Sequence, residues 1–162
     1  MFPRGAIDLV KYYHEFEDEI FLAQFRKVDY NNLSHSKKIE LALMKRFEII
    51  VKNKEAFRRS MALFALPFYQ IEGINLVFST CDKIWAEIGD ISVGFDWYTK
   101  RIILASVYFT SLLFLFGDNS INHKETYRFI SNRLNDLKSF GKFKKNFSNV
   151  SDYFDFNKFN NN

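Results

Sequence analysis

A chain of 162 residues with a net charge of +4 and a pI near 9.1 is long enough for one domain with a sizeable core, and its basic excess permits an anionic surface or acidic partner without demanding nucleic acid. One cysteine, Cys81, excludes an internal disulfide framework. Hydrophobic content of 48% and aromatic content of 19% exclude a disordered chain.

The opening MFPRGAIDLV lacks a charged region followed by an apolar one and is not rich in Arg and Ser, so it does not read as a secretory signal or a transit peptide. The expectation is an intracellular protein, soluble or peripheral to a membrane. After the Pro3–Gly5 turn, Leu9, Tyr13, Phe16, Ile20 and Ala23 recur at helical spacing and predict an inward stripe on a first helix reaching about Val28. Its acidic run, Glu15, Glu17, Asp18 and Glu19 beside His14, lacks the paired-histidine spacing of a metal site and reads as a solvated face. A second helix follows Ser34 or Ser36, with Ile39, Leu43, Phe47 and Ile50 inward, and Asn53 breaks it. Lys38, Lys45, Lys52 and Arg59 recur every seven residues across that break and read as solvated surface.

The third helix, from about Lys54 to Leu66, turns Phe57, Met61 and Phe64 inward and stops near Pro67. The fourth, Tyr69 to Glu87, carries Leu76, Phe78, Cys81, Ile84 and Trp85, with Gly73 marking a close approach, and Gly89 terminates it. Asp96 is the expected N-cap of the fifth helix, Trp97 to Phe116, which has no charged residue from Ile102 onward and is too short in that stretch for a membrane span. It reads as a central helix or one wall of an apolar cavity. Trp97 and Tyr98 beside Lys100 and Arg101 fit either an ordinary staple with snorkelling cations or an exposed protein-binding hot spot. Asn122 with Glu125 has the spacing of a capping box opening a sixth helix, whose inward stripe is Tyr127, Ile130, Leu134 and Leu137 and whose stop is Gly141. Residues 142–162 alternate Lys with Phe among Asn and Ser, which fits a flexible tail or reversible membrane contact. No strand-length alternation appears, so the fold class is all-α. No phosphate loop, dinucleotide fingerprint, zinc-protease or CxxC motif is present, which makes an enzyme the least favoured class.

The string Ile84-Trp85, Gly89-Asp90, Ser92, Phe95, Trp97-Tyr98-Thr99-Lys100-Arg101 and Leu104-Ala105 closely resembles the signature of the ubiquinone biosynthesis accessory lipid-binding family, whose fold is like that of the TetR regulators. Met1 to Gly5 leading into Asp8-Leu9-Val10, and Thr126 to Asp136, extend the resemblance over roughly residues 1 to 138. It implies a domain, residues 1–141, equivalent to a TetR ligand-binding domain without the helix-turn-helix helices. It further implies a non-catalytic homodimer without cofactors that binds an isoprenoid quinone intermediate and engages the demethoxyubiquinone hydroxylase, at the cytoplasmic face of a bacterial inner membrane or in the mitochondrial matrix. On this resemblance and on helical face, the expected lipid wall is Met61, Phe64, Phe78, Leu104, Tyr108 and Leu112, and the expected partner patch is Asp96, Trp97, Tyr98, Lys100 and Arg101. A TetR-type regulator separated from its DNA-reading segment and a ligand-free scaffold dimer are the rival expectations. The first calls for a helix-turn-helix encoded upstream, the second for a fully packed core.

Overall fold

The computed structural model describes residues 3–151, with side chains described for residues 3–137. Among these the chain is all-α: α1 (Ala6–Phe25), α2 (His35–Lys52), α3 (Lys54–Phe64), α4 (Gln70–Glu87), α5 (Gly94–Gly117) and α6 (Lys124–Ser151), with one 3-10 turn at Ile121–His123. The helices pack as a bundle in which α5 lies against α4 on one side and α6 on the other, and α2 bridges α1 to α6. Ile39, Leu43, Phe47 and Ile50 of α2 are buried as their spacing requires, and meet Cys81 and Ile84 from α4, Leu104, Tyr108 and Leu112 from α5, and Ile130 from α6.

The first helix is rotated relative to the expected stripe. Leu9 and Phe16 are half exposed, while Ile7, Phe21, Leu22 and Phe25 are buried together with His14, Glu17 and Asp18. The acidic run is therefore split: Glu15 and Glu19 are exposed as expected, while Glu17 and Asp18 face the interior. Arg46 of α2, fully buried, places Nε 2.9 Å from Asp18 Oδ1 and Nη1 3.2 Å from Glu17 Oε2, and its guanidinium lies over the Phe57 ring. Thr80 of α4 donates its hydroxyl to the same Asp18 carboxylate, and Lys83 reaches it at 3.1 Å. Two buried carboxylates need an internal cation, and only this rotation of α1 brings them to one.

Three helix boundaries differ from expectation. Helix α5 begins at Gly94, with Val93 at the N-cap and no side-chain cap, so Asp96 sits inside the first turn. At 24 residues α5 is long and apolar enough by composition to cross a membrane, and here it packs between α4 and α6 with several of its apolar side chains exposed. At the start of α6 no Asn122 capping box forms. Asn122 and His123 take positive φ, and the free amides are met from upstream: Ser120 Oγ accepts from the Glu125 amide, and Asp118 Oδ2 accepts from the amide and hydroxyl of Thr126. Helix α6 also runs through Gly141 to Ser151. The side chains of the basic and aromatic tail lie outside the described residues.

Candidate functional site

An apolar groove of about 680 Å³ lies between α3, α4 and α5. Met61, Phe64 and Ala65 line it from α3 and its end, Gly73, Ile74, Val77 and Phe78 from α4, and Ile102, Ala105, Phe109, Leu113 and Phe116 from α5. Its polar lining residues are Arg58 and Gln70. From Ile102 to Phe116 the α5 wall extends about 20 Å at 1.5 Å per residue. Counting roughly the 30 Å³ that a water occupies in the liquid, such a volume takes about 20 heavy atoms, close to four five-carbon isoprene units.

At one place on the groove wall α3 and α4 meet closely. A Cβ built on Gly73 would fall 2.7 Å from the Phe64 Cβ, so glycine alone lets the two backbones approach there. Pro67 and the turn at Leu66–Tyr69 then reverse the chain, with the Tyr69 amide donating to the Leu66 carbonyl at 2.9 Å.

Of the six residues expected to wall a lipid cavity, Met61, Phe64 and Phe78 line the groove. Leu104, Tyr108 and Leu112 do not. All three are buried in the main core on a neighbouring face of α5, where Tyr108 packs edge-on to Phe47 at 5.5 Å. Beyond Ile102 α5 has no charged residue, and its hydroxyls are divided between buried Ser111 and exposed Ser106 and Thr110, so the sequence does not mark which apolar side is core and which is groove. The residues missed, Ile102, Ala105, Phe109, Leu113 and Phe116, share one face at helical spacing.

The expected partner patch divides in the same way. Gly89, at φ 82, ends α4 in a Schellman arrangement: its own amide donates to the Ala86 carbonyl and the Asp90 amide to the Trp85 carbonyl, each at 3.0 Å. That turn delivers the Asp90 carboxylate to the next helix. Lys100 Nζ lies 2.7 Å from its Oδ1, and Arg101 Nη1 3.1 Å from its Oδ2. Ser92 donates its hydroxyl at 2.6 Å. Burial pushes the Asp90 carboxyl up, but the bonds from Lys100, Ser92 and Arg101 outweigh it and hold the group well below the usual carboxylate range.

Arg101 is itself buried, with Nε 2.6 Å from Asp82 Oδ1 and Nη1 donating to the Trp97 carbonyl. It is a clamp between α4 and α5, not a surface contact. Its guanidinium stacks 4.0 Å from the Trp97 ring, whose other neighbours are Phe78 and Tyr98. Trp97 is thus half-buried. Lys100 lies 5.2 Å from the Trp85 ring, which fixes the cation locally. Asp96 and Tyr98 remain exposed, and Ile91 and Val93 of the loop with Phe95 of the first turn of α5, which the pattern of charges had not singled out, are the most exposed apolar side chains around them.

The described residues thus form an all-α bundle with an open apolar groove between α3, α4 and α5, and a separate aromatic and cationic lock joining α4 to α5. Residues 71–141, which include the Asp90 lock and the α4 and α5 walls, match the COQ9 family model. It is 35% identical over 114 residues to a probable mitochondrial ubiquinone biosynthesis protein coq9 of Dictyostelium discoideum, covering 70% of this chain and 37% of that protein. It is 30% identical over 128 residues to the mitochondrial ubiquinone biosynthesis protein COQ9 of Rattus norvegicus, covering 79% and 40%. Against the Homo sapiens COQ9 it is 33% identical over 100 residues, covering 62% and 31%. The chain therefore spans well under half the length of these relatives.

Proposed function

We propose that this chain acts in ubiquinone biosynthesis as a non-catalytic lipid-binding protein, in a mitochondrial setting like that named for its relatives. In this reading the ligand is an isoprenoid quinone intermediate, the groove is its host, and the partner is the demethoxyubiquinone hydroxylase. The observation that carries the proposal is the apolar groove itself, on a domain related to ubiquinone biosynthesis proteins. An isoprenoid chain exposed to water loses about 0.8 kcal/mol per CH₂ relative to an apolar host, so moving it out of a bilayer requires such a surface. The volume suits a few isoprene units, with the rest of a longer tail left outside. A ligand-free scaffold would call for closed faces instead.

The partner surface in this reading is the exposed strip of Ile91, Val93, Phe95 and Tyr98, held in place by the Asp90 lock behind it. The TetR-like relationship and the homodimer belong to the same reading, with Ile103 and Phe114, exposed on α5 away from the groove, as the candidate dimer face. Native mass spectrometry followed by organic extraction tests the carrier role. A co-purifying isoprenoid quinone is the expected result, and protein that stays empty after incubation with quinone overturns it. Loss of hydroxylase capture on Tyr98→Ala, with folding unchanged, tests the partner surface.

A further inference from the structure

The corner between α3 and α4 is apolar where a solvent-facing turn is ordinarily polar. Within nine residues, Leu66 is 49%, Phe68 91%, Ile71 73% and Ile74 66% exposed. Scattered exposed apolar residues are normal, but four on one turn and the helix that follows form a patch. The turn is also well built: the Leu66 amide donates to the Leu63 carbonyl, the Tyr69 amide to the Leu66 carbonyl, and Gln70 Nε2 to the Ala65 carbonyl. These side chains are therefore presented outward by an ordered corner.

The patch is continuous with the groove. Ile74 belongs to both, and Ala65 and Gln70 lie on the groove lining beside it. Across the opening, Phe109 and Leu113 of α5 are also half exposed. The charges around the corner favour an anionic surface. Glu72, the acid on its first helical turn, is neutralised by Arg4 at 2.9 Å and Lys11 at 3.1 Å, with Arg4 shared with Asp8 at 2.8 Å, and Arg58 at the groove edge makes no ion pair with any described residue.

We propose that the α3–α4 corner is a membrane-docking lip: Phe68 and Ile71 enter the interface of an anionic bilayer, and a lipid chain passes along Ile74 into the groove without crossing water. The apolar side chains supply insertion, and Arg58, whose charge no described carboxylate balances, supplies attraction to lipid phosphate. The inference rests on the reading of the groove as a lipid site and adds where the bilayer meets it. Its occupant is a lipid surface, distinct from the protein partner assigned to the α4–α5 loop.

The test is sedimentation of the full chain with vesicles of phosphatidylcholine and phosphatidylglycerol, with circular dichroism on every variant. Phe68→Glu combined with Ile71→Glu removes exposed side chains only, so the helical signal is expected to persist while vesicle affinity falls about tenfold or more. Phe68→Ser, which removes apolar area without adding charge, is expected to weaken binding in the same direction. Unchanged vesicle affinity in both variants overturns the lip. So does a wild-type protein that self-associates and becomes monomeric on these substitutions with no change in vesicle binding, since the patch then covers a second copy of the chain. Leu113→Lys separates the two readings. It is expected to lose retained lipid while vesicle binding is not weakened. If Leu113→Lys keeps its lipid, the groove reading fails and the lip stands on the vesicle data alone.

Discussion

Asp90→Asn isolates the lock that positions the α4–α5 loop. The substitution keeps the Asp90 backbone amide on the Trp85 carbonyl and changes little volume, but it removes the charge that Lys100 and Arg101 share. Arg101, whose side chain is 3% exposed, is left with Asp82 alone, and that carboxylate is 44% exposed. Removing one member of a buried pair typically costs 3–5 kcal/mol, and with Asp82 retained the expected loss here is about 3 kcal/mol. For a domain of this size that lowers Tm by roughly 6–12 °C. Thermal and denaturant unfolding followed by circular dichroism reads it directly. The sign of the pH dependence follows from the depressed carboxyl: its contribution is complete above the ordinary value of 3.8 and is lost as pH falls below it. The difference between wild type and variant should therefore be flat from neutral pH to about pH 5 and shrink in stronger acid. A difference below about 0.5 kcal/mol at neutral pH would show that the buried lock is not holding the loop.

Burial, with Arg46 adding to it, lowers the His14 imidazole from 6.5 to about 4, so the unfolded chain binds a proton there that the folded chain refuses. Stability is expected to fall by about 3 kcal/mol as pH drops from 6.5 to 4, and His14→Phe should flatten that part of the profile in denaturant titrations. Gly73→Val puts side-chain atoms where Phe64 already stands, and should cost about 1–3 kcal/mol in unfolding experiments while reducing lipid uptake. Leu112→Lys places a charge in the main core and should abolish the cooperative transition, whereas Leu113→Lys, at the groove, should leave circular dichroism intact and remove bound lipid on extraction. Equal behaviour of the last two variants would refute the assigned phase of α5.

Much of the architecture is determined by local pattern. The stripe Ile39, Leu43, Phe47 and Ile50 needs only the helical period to be found, and the stops at Pro67 and Gly89 need only the backbone limits of the residues present. The Gly73 contact was legible because a glycine within an apolar helix has few other uses. The string from Trp97 to Arg101 marked the start of α5 that closes on the Asp90 turn, although not which of its members face outward.

Tertiary structure alone decided the rest, wherever one residue's role depends on a partner distant in sequence. Glu17 and Asp18 look solvated until Arg46, 28 residues beyond Asp18, comes to meet them and turns α1 with it. Arg101 looks like a surface cation until Asp82 and Asp90 close around it. Helix α5, which has no charged residue beyond Ile102, carries little mark of its own orientation; only the packing of α4 and α6 separates the core face of Leu104, Tyr108 and Leu112 from the groove face of Phe109, Leu113 and Phe116. Periodicity reports that a helix has an apolar side, while charge pairing and shape fit between helices determine what that side touches.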